Sequence, residues 1–219
     1  MLRTPAAPVL SVPPPDFVPF ESLDSSSINS TLTNRVVIEL PGSRVPLVAS
    51  SQEVIKVSHV VVVGDSLTVE SRSFLQLLAE KSGLTIQIDA VSGRKTSGGA
   101  TALKKLEIPL GATIVVALGT NDSNNELTFR SFIDEFMAHV PSESPVVWLT
   151  SYRKKPLDNV ALALREAQLS YPRLSVADWS VLLASHKDWI GSDNVHYSPA
   201  GYEAFANFIV QTATTATTG

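Results

Sequence analysis

An α/β fold with a central parallel sheet of about five strands is predicted here by three observations. Short β-branched apolar runs alternate with segments of helical period over roughly 160 residues. The runs are continuously apolar rather than alternating, as expected of strands buried on both faces. Loops rich in small and polar residues follow the runs, at the strand ends where such sheets collect ligands.

The elements follow in order. His59 to Val63 is the first strand. Phe74, Leu77 and Leu78 mark the buried face of the helix behind it. Leu84 to Ile88 is the second strand and Ala112 to Leu118 the third. Phe129, Phe132, Ile133, Phe136, Met137 and Val140 then repeat at i, i+3, i+4, i+7, which builds one apolar helical face. Pro145 to Thr150 is the fourth strand, and Leu157, Val160, Ala161 and Leu164 place a helix after it. Leu174 to Ala177 is a short fifth strand. Ser198-Pro199 offers an N-cap and a proline at the first helical position. Tyr202, Phe205, Ala206 and Ile209 form the buried face of that last helix. Crossovers of this kind cover a sheet on both faces.

The first 50 residues differ. They hold 8 of the 14 prolines, and residues 1–33 are rich in Pro and Ser without a helical period. Proline removes donors and stiffens the chain, so residues 1–50 read as an arm or tether. Within it, residues 35–40 and 45–49 flank Pro41-Gly42-Ser43 as a short hairpin. Residues 51–219 form the second unit.

Composition excludes several functions. Hydrophobic content of 44% and charged content of 17% describe an ordinary folded chain. A net charge of -4 leaves no basic footprint for nucleic acid or an anionic membrane. No apolar run approaches the ~20 residues of a bilayer span. The chain has no cysteine, which excludes disulfides, thiolate zinc sites and cysteine nucleophiles. No histidine pair has metal-ligand spacing, so no metal is expected. Residues 93–99 carry three glycines but lack the Gly-Lys-Ser/Thr of a phosphate loop, and no GxGxxG follows the first strand. No cofactor is expected. The N-terminus lacks a signal-peptide pattern. The Pro-rich leader suits a tethered domain, so the expected setting is extracytoplasmic or secreted, as a mature or excised piece. The alternative is a cytosolic protein.

Four polar loops would share one rim of the sheet. They are Gly64-Asp65-Ser66-Leu67, Ser92-Gly93-Arg94, Gly119-Thr120-Asn121-Asp122 and Asp193-Asn194-Val195-His196. A serine hydroxyl is a poor nucleophile unless a base lies within reach and a third group orients that base. Ser66, His196 and Asp193 supply these types; Asp188 and Asp178 are the alternatives to Asp193. Asp65 and Asp122 read as loop-shaping residues whose carboxylates accept backbone N–H bonds.

In these blocks the sequence resembles the SGNH hydrolases, or GDSL-type esterases, over roughly residues 57–213. The four naming residues fall on Ser66, Gly93, Asn121 and His196. The resemblance implies a flavodoxin-like three-layer α/β/α sandwich, with Ser66 as nucleophile, His196 as base and Asp193 orienting it. It also implies an oxyanion hole from the N–H groups of Ser66 and Gly93 and the amide of Asn121. A serine at a helix N-terminus, with free N–H groups and a favourable dipole, suits that role. One departure is Thr68-Val69-Glu70-Ser71, where the family often has a small residue soon after the first block. Residues 89–94 resemble a subset that includes extracytoplasmic O-acetyltransferase domains acting on peptidoglycan and other polysaccharides.

The expected activity is hydrolysis of O-acyl esters, short ones such as acetyl, through an acyl-serine. The partner would be a small-molecule or carbohydrate acyl ester. One alternative is an O-acyltransferase with a sugar hydroxyl as acceptor. Another is a non-catalytic carbohydrate- or protein-binding module. Arg94 and Trp189 are the candidate substrate contacts; against them stand a salt-bridged arginine and a core tryptophan.

Overall fold

The β-branched runs become the strands of one parallel sheet in the computed structural model, which describes residues 59–216. Five strands pair: β1 (His59–Gly64), β2 (Thr85–Ala90), β3 (Thr113–Ala117), β4 (Val146–Leu149) and β7 (Leu174–Ala177). Their order is β2-β1-β3-β4-β7, all parallel. β1 pairs on both sides, with Val60 beside Ile86 and Thr113. The order reverses between β1 and β3, so their carboxyl ends open a crevice where ligands collect in such sheets. A two-stranded antiparallel hairpin, β5 (Tyr152–Arg153) and β6 (Lys155–Pro156), follows β4.

Helices α1 (Ser66–Glu70), α2 (Arg72–Lys81), α3 (Thr96–Leu103), α4 (Glu126–Met137), α5 (Asp158–Ser170), α6 (Trp179–Ser185) and α7 (Pro199–Thr215) surround the sheet. α3, α4 and α5 pack side by side, and α2 packs on α7. Alternate residues of each strand face opposite layers. Val61, Val63, Ile114, Val116, Val146 and Trp148 join Phe129, Ile133, Phe136, Val160 and Leu164 in one core. Trp148 meets Phe129 and Phe136 edge-on, and its indole N–H donates to Leu118 O. Such aromatic pairs add ~0.5–1.5 kcal/mol beyond area burial.

Three local features differ from expectation. The inward face of α2 is Leu75, Leu78 and Ala79; Leu77 is 49% exposed and Phe74 only half-buried. Ser71 resets the helical phase, since its N–H and its hydroxyl both donate to Leu67 O. Helix α3 was not foreseen because Gly98 and Gly99 disfavour helix. Gly99 is needed there, since a Cβ would sit 2.3 Å from a Leu118 methyl. The two-residue strands β5 and β6 are too short to show a period. The arm and hairpin expected in residues 1–50 lie outside the described residues. Among the described residues, no helix is long and apolar enough to cross a membrane.

Candidate active site

The chain leaves β1 through Gly64 and turns at once into α1. The turn is tight: a Cβ on Gly64 would lie 2.0 Å from Thr68 Oγ1. Asp65 caps the helix, its Oδ1 accepting from Leu67 N at 3.0 Å. Ser66 is therefore the first residue of a helix at the carboxyl end of a central strand. Its N–H makes no hydrogen bond within the described residues.

The loop before α7 brings His196 to this serine. Asn194 adopts a left-handed φ of 59°, which wraps the following N–H groups around Asp193. Asp193 Oδ1 accepts from Val195 N and His196 N, both at 2.9 Å. Its Oδ2 lies 2.7 Å from His196 Nδ1. An ionised carboxylate only accepts, so Nδ1 carries the proton and Nε2 presents a lone pair. Nε2 stands 3.2 Å from Ser66 Oγ, within proton-transfer reach. The His196 hydrogen bond, helped by the two N–H groups, holds the Asp193 carboxyl down at about 2.

The loop is stapled at its base. Gly191 N donates to His196 O at 2.7 Å, and Ile190 pairs with Tyr197. Trp179 Nε1 donates to the buried Tyr197 hydroxyl at 2.7 Å. Ser198 caps α7, accepting from Gly201 N, while its hydroxyl donates to Asp188 O. A second left-handed residue, Lys154 at φ 64°, donates its N–H to Asn194 O at 2.7 Å. Lys154 and Asn194 are the two non-glycine residues with positive φ among those described, and they bond each other. Backbone strain of this sort persists where surrounding contacts enforce it.

On the other side, Gly119 at φ 124° turns the chain after β3 and delivers Asn121. Asn121 Nδ2 donates to Asp65 Oδ2 at 3.1 Å and to Arg94 O at 3.2 Å. Both amide hydrogens thus have acceptors. Burial pushes the fully enclosed Asp65 carboxyl up to about 7, against the pull of its Leu67 hydrogen bond and of His196. Gly93 is exposed with φ 75°, and its N–H makes no hydrogen bond within the described residues. Under the site, Leu67, Thr120, Trp179, Tyr197 and Phe205 help line a cavity of ≈ 10 Å³, room for about one water.

No family model matches the chain. The O-acetyltransferase OatA of Staphylococcus aureus is 27% identical over 173 residues, covering 76% of this chain and 27% of that protein. The peptidoglycan O-acetyltransferase OatA of Listeria monocytogenes is 24% identical over 156 residues, covering 68% and 23%. The chain spans about a quarter of the length of these curated relatives. Among solved structures, the C-terminal catalytic domain of Streptococcus pneumoniae peptidoglycan O-acetyltransferase A superposes with a TM-score of 0.59 at 22% identity, over 72% of this chain and 95% of that one. The Clostridium thermocellum family 3 carbohydrate esterase gives 0.55 at 17%, over 71% and 94%. A putative GDSL-like lipase from Parabacteroides merdae gives 0.53 at 17%, over 74% and 97%. The fold is that of the SGNH hydrolases.

On this SGNH-type fold the two expected substrate contacts take other positions. The Arg94 guanidinium turns inward, pairing with Asp89 Oδ1 at 2.5 Å and donating to Asp89 O at 2.8 Å. With its side chain 10% exposed, it ties the 92–94 turn to the end of β2 rather than facing a substrate. Trp189 stacks on His186 at 3.9 Å and on Trp179 at 6.1 Å. A Cβ on Gly201 would lie 2.2 Å from Trp189 O, so this tryptophan's backbone supports the start of α7. Asp178 is engaged by Arg165 at 2.6 Å, which leaves Asp193 as the carboxylate on the imidazole. Asp122 caps α3, accepting from Thr96 N and Thr96 Oγ1 at 3.0 and 2.8 Å. Sequence reasoning missed the hydrogen bond from Asn121 to Asp65 and the brace from Lys154 to the histidine loop. The latter is a backbone N–H bond, which no residue type in the run Arg153-Lys154-Lys155 announces. No group of three or more His, Asp or Glu among the described residues could hold a metal ion.

Proposed function

We propose that this domain moves acyl groups from O-acyl esters through an acyl-serine on Ser66, with a carbohydrate as the alcohol. Ser66 Oγ attacks the ester carbonyl and its proton passes to His196 Nε2. The tetrahedral intermediate collapses, the alkoxide leaves and takes that proton. A second hydroxyl, from water or a sugar, then attacks the acyl-serine by the reverse route. Asp193 stays ionised throughout and holds the imidazolium in place. The observation that carries this reading is the 3.2 Å approach of His196 Nε2 to Ser66 Oγ with Nδ1 anchored on Asp193.

The Ser66 and Gly93 N–H groups and the Asn121 amide serve the developing oxyanion. Asn121 reaches it by exchanging the hydrogen now on the Arg94 carbonyl, since its other hydrogen is held by buried Asp65. Such donors commonly tighten onto the reacting oxygen only in the complex.

Water as acceptor makes the domain an esterase. A sugar hydroxyl makes it an O-acetyltransferase, which the likeness to the OatA O-acetyltransferases favours. The likeness to the peptidoglycan O-acetyltransferase of Listeria monocytogenes supports a cell-wall polysaccharide as that sugar, and with it a setting outside the cytoplasm. The test is incubation with 4-nitrophenyl acetate, with and without chito-oligosaccharide acceptors. Nitrophenol release that depends on Ser66 supports acyl-serine chemistry. Acetylated oligosaccharide assigns transfer, and free acetate alone assigns hydrolysis. Release unchanged in Ser66→Ala would return the domain to a binding role.

A further inference from the structure

We propose that the Arg153-Lys154-Lys155 hairpin tip is a subsite for a carboxylate on the alcohol side of the substrate, an inference that rests on the acyl-serine reading above. The tip joins β5 to β6 just beyond the carboxyl end of β4, on the rim where the candidate site opens. It is held to both halves of that site. Arg153 Nη1 donates to Thr120 O at 3.1 Å, one residue before Asn121. Lys154 N donates to Asn194 O at 2.7 Å, two residues before His196. Tyr152 Oη closes the tip on Lys154 O at 3.1 Å, and Leu157 N closes its base on Ser151 O at 3.0 Å.

The side chains on this frame are cationic. Lys154 and Lys155 are exposed and Arg153 is half-buried. None of the three forms an ion pair with a described residue, in a chain whose net charge is -4. The nearest carboxylate along the braced loop, Asp193, is occupied by His196. Lys154 keeps a left-handed φ of 64° in doing so, a conformation a lysine adopts only where its surroundings enforce it. A rigid frame that presents adjacent positive charges at the rim of a negative protein attracts anions to that rim.

The location fixes which part of the substrate is read. His196 hands its proton to the leaving alcohol and takes one from the acceptor, so Lys154, whose N–H is braced against that loop, borders the alcohol, while Arg153, donating to Thr120 O beside Asn121, borders the oxyanion side. The ligand is therefore a sugar or alcohol that carries a carboxylate near the esterified hydroxyl. The subsite chooses among substrates and takes no part in the bond changes.

The test compares 4-acetoxybenzoate with its neutral methyl ester, each rate divided by that of hydroxide in buffer. The wild-type protein should favour the anionic ester. The double variant Lys154→Asn/Lys155→Gln removes two charges while asparagine tolerates the left-handed backbone. It should lower the anionic-to-neutral ratio of kcat/KM about two- to thirtyfold, the range for two exposed ion pairs. Raising salt from ~0.02 M to ~0.5 M should lower the wild-type ratio similarly, as the Debye length shrinks. Lys104→Gln/Lys105→Gln, at the far end of α3, should leave the ratio unchanged. A ratio that survives the Lys154/Lys155 change overturns the inference, as does an equal loss on both esters, which would make the tip a brace alone. Failure of the wild-type protein on both esters would instead overturn the acyl-serine reading, and this inference with it.

Discussion

Replacing Asp65 with asparagine isolates a buried charge beside the candidate nucleophile. Asp65 is fully enclosed, and its carboxyl is raised from 3.8 to about 7, burial being the largest cause. Between those values the native state keeps a proton that the unfolded chain has released. The native state thus binds more protons, and stability falls as pH rises through that window, then levels above about 7. At ~1.4 kcal/mol per pH unit, the rise corresponds to ~4 kcal/mol lost between pH 4 and pH 8. Asp65→Asn abolishes that slope. It also carries a fixed cost of its own, because the amide NH2 cannot accept where one of the two Asp65 oxygens accepts from Leu67 N or Asn121 Nδ2; one unmet bond costs ~1–3 kcal/mol. Urea unfolding followed by fluorescence of the buried Trp148 and Trp179 reads both effects. Wild type should lose several kcal/mol more than Asp65→Asn on going from pH 4 to pH 8. Parallel pH profiles for the two proteins would refute the reasoning.

Other consequences are as direct. Asn121→Ala should lower kcat on an acetyl ester by ~10²–10³ with little change in KM, and wild-type turnover would remove Asn121 from the oxyanion role. Asp193→Asn should cost ~10²–10⁴ in kcat through lost imidazole orientation. Because Asp193 is held at about 2, wild-type activity lost on acidification above pH 3 must follow another group, which a kcat–pH profile of the two proteins checks. Gly119→Ala forces a side chain into φ 124° with its Cβ 2.4 Å from Ser151 Oγ. Strain of ~1–3 kcal/mol should lower Tm by about 2–4 °C per kcal/mol, and an unchanged melt would contradict the overlap.

The strands were legible because burial on both faces leaves a signal in residue type alone. Val60 to Val63 and Thr113 to Val116 are β-branched and uninterrupted, so no partner need be known to recognise them. Helical phase was less legible at α2, where a serine capping the preceding turn rotated the apolar face by one residue. Helix α3 was hidden because Gly99 answers to Leu118, a contact between residues far apart in sequence. The polar loops announced which residues could meet at the sheet rim. The resemblance implied Asp193 for the imidazole, but the loops alone did not choose it over Asp188 and Asp178; that choice is set by the left-handed turn at Asn194 and by the Arg165 contact that occupies Asp178. Arg94 shows the same limit. Its carbonyl partners at Asp89 and Gly64 exist only once β1 and β2 lie side by side.

The acyl-serine account meets its most direct test in intact-mass and peptide mapping after exposure to phenylmethylsulfonyl fluoride. A single sulfonyl adduct on Ser66, absent from Ser66→Ala and slow to form in His196→Ala, is the predicted result. An unmodified Ser66 in a folded protein with His196 intact, or ester turnover that persists in Ser66→Ala, would contradict it.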